Sequence, residues 1–277
     1  MKTVTLPCGE TVPALGQGSW NIGDSSATRA EEIAALRLGL DLGLTLIDTA
    51  EMYGEGRSEQ LIAEALAGRR DEAFIVSKVY PHNATRQGTI AACERSLERL
   101  KTDRIDLYLL HWRGSVPFAE TIAAFEALQQ AGKIRHFGVS NLDLADMQEW
   151  WNSAGGNACA VNQLLYNLTR RGIEFDLLPW LRARRVPVMA YSPIEQARLL
   201  RDKKLAAFAQ THGITPAQAA LAWLLSHDDV IVIPKTGQHD RVKENAAARD
   251  IMLSGAQRTE LDRLFAPPRG PVPLAML

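Results

Sequence analysis

Asp48 follows Leu46-Ile47, Lys78 follows Phe74-Ile75-Val76-Ser77 and His111 follows Leu109-Leu110, while Tyr53 comes five residues after Asp48. Each of the first three closes a short apolar run, and each can move or hold a proton. Taken singly they have plain explanations. Asp48 could cap a turn, Lys78 could snorkel from a strand edge, and His111 could be a satisfied core histidine. The lysine is the hardest to dismiss, because a lysine is almost never fully buried without a partner. If the three runs are neighbouring strands, Asp48 becomes that partner, in a buried ion pair that is costly to assemble and therefore suspect as a functional group. A phenol beside the ammonium is expected to have a lowered pKa, so Tyr53 would suit a general acid. A strand-borne lysine could instead act as a Schiff-base nucleophile, which would make the protein a lyase.

The elements that must position these residues are legible as a pattern. Short β-prone runs occupy 14–18, 44–48, 73–78, 105–110, 134–139, 160–163, 187–191 and 230–233. Apolar residues at helical spacing lie between most of them, as in Ile33/Leu36/Leu40, Ile62/Ala65/Leu66 and Phe118/Ile122/Phe125/Leu128. Gly43 and Gly132 sit where helix C-caps precede a strand. Thr215-Pro216-Ala217-Gln218 and Ser254-Gly255-Ala256-Gln257 read as capping boxes.

Continuously apolar strands are buried on both faces, as in a parallel sheet covered by helices. Eight of them alternating with helices predict an α/β fold, a (β/α)₈ TIM barrel forming a single domain over 1–277. An open dinucleotide-binding sheet fits less well, since Gly16, Gly18 and Gly23 lack the spacing of its fingerprint. Reactive groups of such barrels gather where the strands end. Asp48, Lys78, His111, Ser140-Asn141, Asn162-Gln163, Tyr191-Ser192 and Pro234-Lys235 would then share one mouth.

Composition narrows the class. The chain has 277 residues, 46% of them hydrophobic and 23% charged, with 31 Lys+Arg against 32 Asp+Glu. A formal net charge of -1 offers no field for nucleic acid or an anionic membrane, so any anion site must be local. Cys8, Cys93 and Cys159 are too few for a disulfide framework or a zinc knuckle, and no metal site is expected. Cys93 falls on the stripe Ile90, Cys93, Leu97, Leu100 and reads as a core residue. No signal-like segment or membrane-length apolar run occurs, so a cytoplasmic protein is expected.

At the residues with chemistry the sequence resembles the aldo-keto reductase family, bacterial reductases of methylglyoxal and other small aldehydes in particular. The likeness is carried by Asp48-Thr49-Ala50-Glu51-Met52-Tyr53-Gly54 with Ser58-Glu59, by Ser77-Lys78-Val79, Leu109-Leu110-His111-Trp112, Gly138-Val139-Ser140-Asn141 and Ala190-Tyr191-Ser192-Pro193, and by Ile233-Pro234-Lys235-Thr236 with Arg241 and Glu244-Asn245. Singly these segments are weak; together they are highly specific. The resemblance implies NADPH-dependent reduction of aldehydes and reactive ketoaldehydes, with Asp48, Tyr53, Lys78 and His111 as the catalytic set and Tyr53 as general acid. It implies cofactor contacts at Gly18, Ser19, Trp20, Asp48, Ser140, Asn141, Gln163, Tyr191, Ser192, Pro193, Ile194, Pro234, Lys235, Thr236, Arg241, Glu244 and Asn245. A substrate pocket would be formed by Trp20, Tyr80 and Trp112.

Lys235 and Arg241 follow the eighth strand, and Arg241 shares a helix face with Asn245 at i,i+4. Two cations and a helix N-terminus suit the 2′-phosphate of NADP(H) over the free hydroxyl of NAD. The family likeness suggests a monomer acting on a small-molecule carbonyl substrate. It also points to a shallow pocket, because only 266–277 follow the last helix, and leaves open whether Gln196 or Arg198 meets the pyrophosphate. A non-catalytic cofactor-sensing subunit is the alternative of a different class, although such a binder has no need of a tyrosine acid.

Overall fold

Val, Ile and Leu runs flanked by helical stripes satisfy their backbone groups by pairing side by side and bury one face in the barrel interior and the other under helices. The computed structural model, which describes residues 2–277, has this arrangement. After an N-terminal hairpin of β1 (Thr3–Thr5) and β2 (Thr11–Pro13) come eight parallel strands in sequence order: β3 (Gln17–Gly18), β4 (Leu46–Asp48), β5 (Phe74–Val79), β6 (Ile105–Leu110), β7 (Ile134–Ser140), β8 (Asn162–Leu165), β9 (Val188–Tyr191) and β10 (Val230–Val232). The sheet closes on itself. Val232 N donates to Ala14 O at 2.8 Å, Gly16 N to Val232 O at 2.9 Å and Gly18 N to Pro234 O at 2.9 Å. Parallel bridges join Leu15 to Val232 and Gly18 to Lys235 across the same seam. The first strand is shorter than the run 14–18 suggests, because Ala14 and Gly16 bond across this seam before regular pairing with β4 begins.

The outer layer is α1 (Arg29–Asp41), α2 (Arg57–Ala65), α3 (Arg86–Leu100), α4 (Phe118–Gln130), α5 (Leu144–Asn152), α6 (Leu177–Ala183), α7 (Lys203–Thr211), α8 (Pro216–Leu225) and α9 (His239–Ala247), with α10 (Gly255–Leu264) appended. Both capping boxes form, Thr215 with Gln218 and Ser254 with Gln257. Gly43 and Gly132 end their helices at φ +83° and +71°, a left-handed conformation that glycine adopts without a Cβ clash. Cys93 and Cys159 are buried in a core that runs through the whole barrel.

The hairpin β1–β2 is an addition that the sequence pattern did not reveal. It buries Val4, Leu6 and Val12 and covers the barrel end where the strands begin, with Glu10 bonded to Arg135 and His136 at the start of β7. The opposite end is left as the mouth. Register carries the predicted side chains there: Gly18 pairs with Asp48, Asp48 with Val76, Lys78 with Leu109 and Ser140 with Gln163.

Candidate active site

A cavity of about 490 Å³ opens at the strands' C-terminal ends. Beneath its floor lies Lys78, fully buried on β5, and its ammonium spends all three protons. It donates to Asp48 Oδ2 at 2.9 Å, to Thr49 O at 2.7 Å and to Tyr53 Oη at 3.2 Å. Asp48, itself 3% exposed, is also held by Gln163 Nε2 at 2.7 Å. Burial pushes Asp48 up and Lys78 down, and each charge opposes the shift of the other. With its ammonium saturated below the floor, Lys78 has no free lone pair for a Schiff base, which removes the footing of the lyase reading.

Tyr53 opens the 3₁₀ turn Tyr53–Gly56 just after β4. Gly54 follows at φ +56°, a left-handed conformation that favours glycine in the turn that aims the phenol. The expectation of a lowered Tyr53 pKa is corrected. Burial first, and the Asp48 carboxylate second, push it well above the usual value, because taking the phenolate out of water penalises its charged form. Tyr53 is therefore firmly protonated in this site. Since Tyr53 Oη accepts from Lys78, its own proton is directed elsewhere, and the side open to it is the cavity.

His111 directly follows β6, its ring centroid 5.9 Å from that of Tyr53, edge to face. Burial first and the Lys78 charge second push its pKa down to about 2, so the imidazole is neutral. Its Nδ1 is buried without a hydrogen-bond partner. A neutral imidazole offers one N–H and one acceptor, and it can donate to an oxygen in the cavity without ever becoming a cation.

A chain of polar side chains crosses the floor from there. Tyr191 Oη donates to Asn141 Oδ1 at 3.0 Å, Asn141 Nδ2 to Ser140 Oγ at 3.1 Å and His111 O at 3.2 Å, and Ser140 Oγ to Gln163 O at 2.9 Å. At the far wall Gly18 packs so closely that a Cβ would lie 3.0 Å from Ile233 O. Lys235 and Arg241 are exposed on that side. Apart from Lys101 and Arg185, every non-glycine residue with positive φ among those described is in the loops of this mouth: Asn21, Glu55, Asn141, Ser192, Glu195, Gln196 and Ala197. Such strain persists only where surrounding contacts hold it. Around Glu195 they do, for its buried carboxylate takes Arg170 at 2.7 Å and Asn167 at 2.9 Å.

Of the residues singled out from sequence, Gly18, Ser19, Trp20, Asp48, Tyr53, His111, Trp112, Ser140, Asn141, Gln163, Tyr191, Ser192, Pro193, Ile194, Lys235 and Arg241 line this one cavity. Tyr80 does not reach it and packs edge-on behind Trp112 at 5.7 Å. Pro234, Thr236, Glu244 and Asn245 also stand outside the wall, Asn245 being buried in α9 while Arg241 on the same helix is exposed. Gln196 lines the cavity, whereas Arg198 turns back toward Glu195. Met276 and Leu277 are on the wall as well, so the tail returns to the mouth. That return had no local signal, because 266–277 carry no periodicity. Asn21, Met52, Ala197 and Ile233 complete the lining and were not anticipated.

Comparison with known proteins gives a consistent set of likenesses. The family model of the aldo/keto reductase family matches residues 14–266. The chain is 53% identical over 272 residues to the methylglyoxal reductase YeaE of Escherichia coli (strain K12), covering 96% of each. It is 33% identical to a glyoxal reductase of Bacillus subtilis (strain 168), covering 99% of this chain and 97% of the relative. Among solved structures, an aldo/keto reductase from Klebsiella pneumoniae in complex with NADP and acetate superposes with a TM-score of 0.97 at 49% identity, covering 100% of this chain and 99% of the other.

Proposed function

The chain belongs to the aldo/keto reductase family, and we propose that it reduces aldehydes and reactive ketoaldehydes of the methylglyoxal kind to alcohols with NADPH, Tyr53 supplying the proton. The observation that carries this reading is the hydrogen bond from Lys78 Nζ into Tyr53 Oη at 3.2 Å. It leaves the phenolic proton for an oxygen in the cavity and provides a cation beside the phenolate that remains.

The residues present fit the nicotinamide cofactor. The cavity extends from the Asp48/Tyr53/His111 group to the two cations Lys235 and Arg241. Asn141 and Gln163, with Ser140, offer the amide and hydroxyl groups that a carboxamide needs. Tyr191 and Trp20 offer flat faces. Lys235 and Arg241 would hold the 2′-phosphate, through charge-assisted bonds worth about 1.5–3 kcal/mol each. Bound NADPH supplies the hydride to the carbonyl carbon.

The protein's own part is to orient the carbonyl and to move one proton. The carbonyl oxygen accepts from Tyr53 Oη, whose proton transfers as negative charge develops there; such acid catalysis contributes typically 10²–10⁴-fold. His111, neutral because burial and Lys78 forbid its cation, donates to the same oxygen as a preorganised dipole, an effect of roughly 10²–10³ where single donors have been removed. Lys78 holds the phenolate and Asp48 holds Lys78. Trp20, Met52, Trp112, Met276 and Leu277 give the substrate end an apolar wall that suits small aldehydes. Such a wall discriminates by only about 1–3 kcal/mol per methylene, which supports a broad range of small carbonyl compounds.

The test is consumption of NADPH and NADH with methylglyoxal, phenylglyoxal, nitrobenzaldehyde and glyceraldehyde. NADPH oxidation well above NADH oxidation, with the dicarbonyls among the better substrates, is the expected result. Tight NADPH binding with no turnover of any of them would favour a cofactor-sensing subunit instead.

A further inference from the structure

The tight turn of the N-terminal hairpin sets a second group of reactive side chains at the barrel end remote from the cavity. Leu6 N donates to Glu10 O at 2.8 Å, which closes the turn and leaves Cys8 exposed at its tip. Across from it, on β7, stands the half-buried His136. Cys8 Sγ meets His136 Nδ1 at 3.8 Å, within reach of a sulfur hydrogen bond, and the other ring nitrogen, Nε2, lies 2.6 Å from Glu10 Oε2. Glu10 is also gripped by Arg135 through both carboxylate oxygens, at 2.7 and 2.8 Å. Arg135 in turn reaches the buried Asp106 at 3.1 Å.

These contacts select one tautomer of the neutral ring. Although burial works against the charge, the bonds from His136 and Arg135 hold the Glu10 carboxyl below its usual range. An ionised carboxylate only accepts, so Nε2 carries the proton and Nδ1 presents its lone pair to the thiol. The sequence of contacts is nucleophile, base and orienting carboxylate, the arrangement that activates a thiol. The three residues could also ligate a metal ion. However, the thiol and the carboxylate engage opposite nitrogens of the ring, which makes a relay and not a common coordination centre.

We propose that Cys8, His136 and Glu10 form a second reactive site, independent of carbonyl reduction, at which the Cys8 thiol exchanges with small disulfides. His136 Nδ1 takes the thiol proton as Sγ attacks one sulfur of the disulfide. The new S–S bond forms while the old one breaks, and the departing thiolate leaves with the electron pair and recovers the proton from His136. One disulfide and one thiol give one mixed disulfide and one thiol, so no further oxidant is required. The other two cysteines are fully buried, and burial pushes both thiols up to about 12. Exchange is thereby confined to Cys8.

The aromatic disulfide dithiobis(nitrobenzoate) reports the reaction by release of its coloured thiolate from the folded enzyme at neutral pH. A fast release of one equivalent is expected, absent in Cys8→Ser. His136→Gln should slow it by about five- to tenfold and Glu10→Gln by about two- to fivefold, as the thiolate fraction falls. Both variants should keep wild-type NADPH-dependent turnover, because neither residue approaches the cavity. Wild-type reaction rates in His136→Gln and Glu10→Gln would overturn the proposal, as would a Cys8 no more reactive than glutathione. Should His136→Gln fail to fold, Glu10→Gln decides by the same criterion.

Discussion

Replacing Lys78 by Met tests whether the Asp48–Lys78 pair is an element of chemistry or of stability. At the 2.7 Å separation of Nζ and Asp48 Oδ1, the Coulomb attraction is roughly 6 kcal/mol at an effective dielectric of about 20. Removing two ions from water costs several kcal/mol each, so the intact pair contributes close to nothing net. The single replacement is different, since it leaves Asp48, 3% exposed, without its cation. K78M should lose about 3–5 kcal/mol in urea unfolding.

The pH dependence has a definite sign. Burial already raises Asp48 in the folded state, and without Lys78 nothing but Gln163 opposes it. A raised folded pKa gives stability that is present below the unfolded carboxylate pKa of about 3.9 and is lost as pH rises through the folded value. K78M should therefore be less stable at pH 8 than at pH 5. The double variant D48N/K78M, which buries no charge, should return to within about 1–2 kcal/mol of wild type, while both variants lose activity by about 10³ or more. A K78M loss below about 1 kcal/mol with no pH dependence would refute the reasoning, and so would a double variant less stable than the single one.

Arg241→Ala should raise the NADPH KM by about 10- to 100-fold, the equivalent of one charge-assisted hydrogen bond, and leave the NADH KM nearly unchanged. Equal changes for the two cofactors would remove the 2′-phosphate role. His111→Ala should lower kcat by about 10²–10³. Because burial and the Lys78 charge push the His111 pKa down to about 2, no limb of the wild-type pH–rate profile between pH 5 and 8 should vanish in that variant; loss of such a limb would show that a histidinium takes part.

The barrel was legible because its strands are buried on both faces and so appear as unbroken apolar runs, and because Gly43, Gly132, Thr215 and Ser254 punctuate the helices between them. The candidate site was legible for a related reason: Asp48, Lys78 and His111 close those runs at places where a charge or an imidazole needs a partner. What escaped notice depends on contacts distant in the chain. The β1–β2 hairpin alternates exposed threonines with single buried residues over three-residue strands, too short for a periodic signal. The hydrogen bond from Gln163 Nε2 to Asp48, 115 positions away, is likewise invisible in the sequence. The direction of the Tyr53 shift depends first on how deeply the phenol is buried and then on the Asp48 carboxylate beside it, neither of which a motif records.

The central claim is that the proton given to the carbonyl oxygen comes from Tyr53. Its most direct test is a single-turnover measurement on Tyr53→Phe, which removes one oxygen, with NADPH binding followed in the same sample by quenching of tryptophan fluorescence. NADPH affinity within about twofold of wild type, together with a hydride-transfer rate lower by about 10³ or more, is the predicted result. Near-normal hydride transfer in that variant would contradict the account, for the acid would then have to be a group other than the one Lys78 holds.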